Sequence, residues 1–434
     1  MALTVHLADA IAKAPPLNRA RMIAAATMGN ALEFYDFVVY GFFATAIAGA
    51  FFPGRDLTTR LLLTFGTFGV SFLARPVGAV ILGAYADRKG RTACMILSIS
   101  LMTLAGAIIT LMPDRTTIGL FAPYGILVAR LIQGFALGGE FGSATALMIE
   151  HSTGHEARAA SWQGTSQYIA SLFASAVALL LSQTPVVPLL HVAGFRVAFG
   201  LGVLAGPVTL LLRRGLREAP SFMAERHRTA VPQDAGMLGG IAITAGLVAI
   251  GTAQTYLIVY LPTYATTQLH MRLGSALASV VLLYVVILAV TPLRLALAGR
   301  FDRSRRNKAM IVSCIAMLIS GYPAFILLAA WPSPIILFLL PLSFTLIGLA
   351  YNAPLSGFMG MVFPVRQRGF GLSVGYALGI TVFGGFAPFI NVWLIARTGD
   401  PRSPGLYLAF TALITIAALF AAQRRLPQIE TAQS

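Results

Sequence analysis

Twelve apolar stretches, each long enough to cross a bilayer, run through this chain of 434 residues. They fall at about 22–48, 61–85, 93–112, 118–149, 159–182, 196–212, 236–262, 274–297, 309–330, 334–361, 370–396 and 405–422. About 20 mainly apolar residues suffice for a helix to span the hydrocarbon core. Strands of a membrane barrel would be about 10 residues long and would alternate in polarity. These stretches are longer and do not alternate, so they read as helices, which satisfy their backbone polar groups internally. Composition points the same way. Only 11% of the residues are charged and 57% are hydrophobic, and a water-solvated fold has too little polar cover for that. The bilayer is therefore the solvent. The two cysteines, Cys94 and Cys314, both sit in apolar runs, which argues against a disulfide framework or a thiolate metal site. The first twenty residues, with Asp9, Lys13, Pro15 and Pro16, lack the apolar core of a signal peptide.

The connecting segments orient the chain. With the N-terminus inside, the segments on that side hold 21 Lys and Arg, and those outside hold six: Arg55, Arg60, Arg115, Arg272, Arg397 and Arg402. Basic residues favour the cytoplasmic side, so both termini are expected there. The same spread accounts for the net charge of +16 without nucleic acid, because no single domain collects the positive charge. The longest polar stretch, 213–234, divides the spans six and six. It reads as a cytoplasmic linker between an N-terminal bundle, 1–212, and a C-terminal bundle, 235–434. The halves echo one another. Gly83, Asp87, Arg88, Gly90 and Arg91 in loop 2–3 have a degenerate counterpart in Asp302, Arg303, Arg305 and Arg306 of loop 8–9, the two aspartates lying 215 residues apart. A duplicated six-span unit implies a pseudo-two-fold axis along the membrane normal, a solute site near the midplane between the halves, and rocking of the halves to alternate access.

The run from Gly83 through Asp87, Arg88 and Gly90 to Arg91 resembles the loop 2–3 signature of the major facilitator superfamily. Further runs resemble its metabolite:proton symporter branch: Gly29, Asn30, Glu33, Tyr35, Asp36 and Phe37 in span one, Arg75-Pro76-Val77-Gly78 in span two, and Arg130, Gln133, Gly134, Gly138 and Glu140 in span four. The segments Phe383–Pro388, Thr398–Gly405 and Ser161–Gln167 look most like the citrate and tricarballylate carriers. The resemblance implies an all-α membrane protein with twelve transmembrane helices in two pseudo-symmetric six-helix bundles. It implies a bacterial inner-membrane carrier, functional as a monomer, that moves a small organic anion together with H⁺ and uses no cofactor or metal. Other members of the branch carry α-ketoglutarate, shikimate, or proline and betaine.

Ionisable groups at membrane depth are costly and mark function. Of fifteen acids, only Glu33, Asp36 and Glu140 lie well inside spans, all in the N-terminal half. Asn30, Glu33 and Asp36 are spaced by three, so they form one slowly spiralling stripe on a helix, expected to face an interior cavity. Asp36 is the first choice for a proton site, with Arg130 as its cationic partner. Sugar porters of the same superfamily resemble this, with an aspartate in the first span and an arginine in the fourth. Two other readings stay open for Asp36: a permanent bolt between spans one and four, and direct substrate contact. Glu33 could share the coupling role or hold Asn30 in place. Glu140 reads as a salt bridge near the inner mouth or as a third coupling acid. Arg75 and Arg130 are the deep cations. Arginine grips a carboxylate bidentately, so the pair suits a di- or tricarboxylate. Arg75 could equally hydrogen-bond carbonyls between spans. Gln163, Gln167, Tyr256, Tyr260, Tyr264 and Asn352 are candidates to complete the substrate site, with interhelical bonding as the alternative. Gly83, Asp87, Arg88, Gly90, Arg91, Asp302 and Arg303 are expected to form inner gates.

Other classes find less support. His151 and His155 have metal-like spacing, but Gly154 breaks the turn between them and no third ligand is evident. No GxxxxGK[ST], GxSxG or HExxH motif occurs, so neither ATP hydrolysis nor an embedded enzyme is expected. A non-transporting sensor with a carrier fold would usually carry an added soluble domain. A uniporter would not need the deep acids.

Overall fold

The computed structural model describes residues 19–150, 156–183, 188–213, 235–298, 303–363 and 368–433. These residues contain no strand. The long helices are α1 (Arg19–Phe42), α2 (Leu57–Lys89), α3 (Arg91–Leu111), α4 (Phe121–Glu150), α5 (Glu156–Gln183), α6 (Pro188–Arg213), α7 (Ala235–Thr267), α8 (Leu273–Ala298), α9 (Arg303–Ala330) and α10 (Pro334–Met361). The eleventh, α11, comes in three pieces, Arg368–Gly379, Ile380–Gly385 and Ala387–Thr398, and α12 is Pro404–Gln433. Among the described residues, eleven spans are long and apolar enough to cross a membrane, and a twelfth is completed if α1 and its continuation Ala44–Phe51 count as one.

That first span bends by 72° at Phe43. The bend lays the outer end of the chain over α2 and α6. It buries Ile47, Ala48 and Phe51 completely, and Phe51 meets Phe195 edge-on. The middle piece of α11 is a wider, π-type turn just before Pro388. Proline cannot continue the normal ladder, because it lacks an N–H and its ring crowds the preceding turn; local widening accommodates it. The turn from α2 to α3 hinges on Gly90, whose φ of 104° is cheap only without a Cβ. Outside the spans, Asp56 caps α2 through the Thr59 amide at 2.7 Å and the Thr59 hydroxyl at 2.8 Å. These bonds hold its carboxyl below the usual range.

Helix contacts repeat between the halves. In the first half α2 packs on α4, α3 on α4, α1 on α5, and α3 on α6. In the second, α8 packs on α10, α9 on α10, α7 on α11, and α9 on α12. The seam between halves is made by α1 with α7, α2 with α11, and α5 with α8. Here "inner" means the side of the basic loops. Gly66 and Gly69, on the outer half of α2, receive the rings of Phe389 and Phe386. Phe72 sits on Gly385, and Phe65, Phe68 and Phe72 pack edge-on against Tyr260 and Tyr256 of α7. Gly83, two heptads inward from Gly69 on that face, has nothing within 4 Å of where a Cβ would stand. The seam is thus tightly packed along the outer half of α2.

Candidate functional site

Glycines bring the charged residues together. In α4, a Cβ on Gly134 would lie 1.7 Å from the Ser71 carbonyl oxygen, and one on Gly138 would lie 2.2 Å from that of Arg75. Gly78 of α2 sits equally close to the Phe135 backbone. Backbones this near are possible only without side chains between them. The contact sets Arg75 of α2 and Arg130 of α4 into the space behind α1.

The α1 stripe does not face one chamber. It fans to three sides of α1, because each step of three turns about 60° back around the helix. Asn30 turns to α5, where its amide donates to the Gln163 carbonyl at 2.9 Å and the Ser166 hydroxyl at 2.8 Å. Its own carbonyl accepts from Gln167 at 3.3 Å. Glu33 turns to α2 and meets Arg75 at 3.8 Å. Both are buried, and Glu33 Oε2 has no hydrogen-bond partner among the described residues. Asp36 turns toward α3, α4 and α6. One of its oxygens would lie 2.7 Å from a Cβ at Gly202 and the other 3.7 Å from one at Gly106.

Asp36 and Arg130 are not in direct contact. Gln133 stands between them, accepting from Arg130 at 2.7 Å and donating to Asp36 at 3.0 Å. Arg130 is wholly buried and lies over the rings of Tyr40, Phe37 and Phe68 at 4.1, 4.7 and 5.2 Å. Such cation–π contact substitutes for hydration of the guanidinium. The expectation of two arginines reaching into one chamber is thus not met: Arg130 is enclosed within the N-terminal bundle.

Glu140 pairs with Arg213 of α6, and Arg213 also donates to the Met95 carbonyl of α3 at 2.7 Å. Both side chains are buried. Arg213, counted above with the linker, ends α6 instead. Gly29 makes room for this pair, since a Cβ there would lie 2.1 Å from the guanidinium and 2.2 Å from the carboxylate.

Between the bundles lies a cavity of about 120 Å³. The N-terminal bundle lines it with Phe34, Gln167, Tyr168 and Ser171, and the C-terminal bundle with Gln254, Thr255, Tyr284, Thr291 and Asn352 among others. Among the described residues, its lining contains no charged residue. Of the candidates above, Gln167 and Asn352 reach it. Gln163 instead receives Asn30. Tyr256, Tyr260 and Tyr264 do not line it. The first two are the C-terminal side of the aromatic seal, and Tyr264 donates to the Pro401 carbonyl at 2.9 Å. Tyr256 nonetheless lies within electrostatic reach of Glu33, Arg75 and Arg130. Among the gate candidates, Gly83 faces open space, Gly90 forms the turn, Arg88 is exposed and Arg91 half-buried. The side chains of Asp87 and Arg303, the whole of Asp302, and His151 and His155 lie outside the described residues.

Gln133, Arg213, Gln254 and Ser171 were not singled out above. Gln133 stood inside a quoted motif, three residues from Arg130. Arg213 sat at the edge of a polar run that masked its helical position. Gln254 and Ser171 carry no charge, and nothing in their spacing separates them from ordinary interhelical polar residues.

Comparison with known proteins gives a consistent picture. The profile of the Major Facilitator Superfamily matches residues 37–356. A citrate-proton symporter of Klebsiella pneumoniae is 36% identical over 405 residues, covering 92% of this chain and 90% of the relative. A glycine betaine/proline/ectoine/pipecolic acid transporter of Dickeya dadantii is 29% identical, covering 91% and 81%. The crystal structure of a D-xylose-proton symporter aligns with a TM-score of 0.75 at 15% identity, covering 94% of this chain and 98% of the other.

Proposed function

The chain belongs to the Major Facilitator Superfamily, and on that premise we propose that it is a proton-coupled symporter of a small organic anion of the citrate and tricarballylate class. It works by alternating access, as a monomer, in the bacterial inner membrane with both termini cytoplasmic. The observation that carries this reading is the buried, loosely held Glu33–Arg75 pair, 3.8 Å apart, behind the seam of the two bundles. In the empty carrier Arg75 neutralises Glu33. A substrate carboxylate is a better, bidentate match for the guanidinium and takes it. Glu33 is then a buried carboxylate without a counter-charge, a state costing several kcal/mol. Binding one H⁺ removes that cost. Anion and proton therefore load together, each favouring the other. Asp36 is the second proton-bearing group. Gln167 and Asn352, with Gln254, bind the uncharged polar parts of the solute. Glu140, tied to Arg213, serves the bundle's inner end. The inner-gate roles of Gly83, Asp87, Arg88, Gly90, Arg91, Asp302 and Arg303 belong to the same proposal.

A zwitterionic solute is the second reading, favoured by the uncharged lining of the cavity. Uptake of labelled citrate, tricarballylate, α-ketoglutarate, shikimate and proline into proteoliposomes separates the two. We expect accumulation of a tricarboxylate that collapses with a protonophore, and loss of its binding in Arg75→Ala. Accumulation indifferent to the protonophore contradicts the coupling. Uptake of proline alone supports the second reading.

A further inference from the structure

We infer that Gln133 is a positioning residue for proton exchange at Asp36, carrying the influence of Arg130 to a carboxylate that Arg130 does not touch. The inference rests on the proposal that Asp36 bears a proton during transport. Its basis is the buried chain from Arg130 through Gln133 to Asp36, with bonds of 2.7 and 3.0 Å. The polarity of that chain is forced. A guanidinium only donates, so the amide oxygen of Gln133 must face Arg130. Its NH₂ group must then face Asp36, where it can only donate. A donor aimed at a carboxylate favours the ionised form, and the guanidinium on the far side of the amide strengthens that donor.

The environment of Asp36 leaves this bond little competition. Its Oδ1 has no hydrogen-bond partner among the described residues. Gly106 of α3 and Gly202 of α6 lie against it, bringing no side chain that could bond it. The other charged or titratable groups nearby on its own helix are Glu33, Tyr35 and Tyr40, the last with its ring against Arg130. Arg75 of α2 reaches Glu33, and Tyr256 of α7 acts on Arg130. From α5, Phe173 packs against Tyr35. An ion pair in direct contact would have to break before the acid could take a proton. The interposed amide removes that step: Asp36 can be protonated while Arg130 keeps its ring contacts and its bond to Gln133. The bond from Gln133 thus favours the ionised carboxylate without locking it, so the acid remains exchangeable.

The test needs no substrate. The Asp36 carboxyl signal is isolated by infrared pH titration of purified wild type minus Asp36→Asn. Replacing the amide by an apolar side chain of similar length, Gln133→Met, removes one hydrogen bond to a charged group. The titration of Asp36 should then move to higher pH by about one to two units, a tenfold or greater change in proton affinity. Gln133→Asn, too short to bridge both partners, should move it in the same direction and serves where the methionine variant does not fold. A titration unchanged in the folded variant overturns this inference while leaving Asp36 as a proton site. A wild type with no Asp36-dependent titration overturns the proton site itself, and this inference with it.

Discussion

The two bundles share a fold and divide the chemistry. Every buried charged side chain among the described residues lies in the N-terminal bundle: Glu33, Asp36, Arg75, Arg130, Glu140 and Arg213. Among the described residues, the C-terminal bundle's buried polar groups are serines, threonines, an asparagine and tyrosine hydroxyls. The inner ends show the contrast at related positions. Arg213 ends α6, and Arg425, 212 residues later, occupies the matching place in α12. Gly29 faces the first guanidinium, and Gly239, 210 residues later, faces the second. Arg213 meets a carboxylate, whereas Arg425 meets the backbone carbonyls of Gly236 and Val362. One scaffold thus builds a buried ion pair in one copy and a partly exposed carbonyl clamp in the other. A buried pair is a poor source of net stability but expensive to break. Among the described residues the N-terminal bundle is accordingly the half that buries charge, and the C-terminal bundle the half that buries none.

The largest expected effect comes from breaking the two clamps separately. Arg213→Ala leaves Glu140 buried without a partner and should destabilise the protein by about 3–5 kcal/mol. Arg425→Ala removes carbonyl bonds at a solvated helix end and should cost about 1–2 kcal/mol. Thermal unfolding in detergent compares them, and equal losses would erase the distinction. The double variant Glu140→Leu with Arg213→Met sharpens it, since removing the whole pair should recover most of the loss. Glycine substitutions should give smaller effects in the same order. Gly29→Ala would push a methyl into the tight Glu140–Arg213 pair and cost about 1–3 kcal/mol. Gly239→Ala meets only the end of the Arg425 side chain at 2.8 Å and should cost less. Smallest in stability terms is Gln254→Ala in the C-terminal bundle. It should weaken uptake several-fold, as expected for one lost neutral hydrogen bond, without moving its pH dependence. A moved pH profile would place proton chemistry in the C-terminal bundle.

Much of this division was readable in the chain. The spans follow from apolar length alone, and the confinement of deep acids to one half follows from placing fifteen residues. The direction of each side chain did not follow. A spacing of three puts Asn30, Glu33 and Asp36 on one stripe, but it does not say that helices on three sides take one each. Arg130 could be placed at depth, yet only the rings of Phe37, Tyr40 and Phe68, from two other helices, show that it is enclosed. The bend at Phe43 has no proline to announce it, though the segment beyond it packs on α2 and α6. Neutral site residues such as Gln254 look from sequence like any interhelical amide, because what distinguishes them is a cavity formed by five helices.

The central claim is that H⁺ moves through carboxylates of the N-terminal bundle. Proteoliposomes containing wild type and the Glu33→Gln, Asp36→Asn double variant, given citrate and a pH-reporting dye, measure it directly. Wild type should take up protons with the anion. The double variant should still exchange labelled for unlabelled citrate but move no protons with it. Citrate-driven proton uptake that persists at the wild-type rate in the double variant would contradict the account.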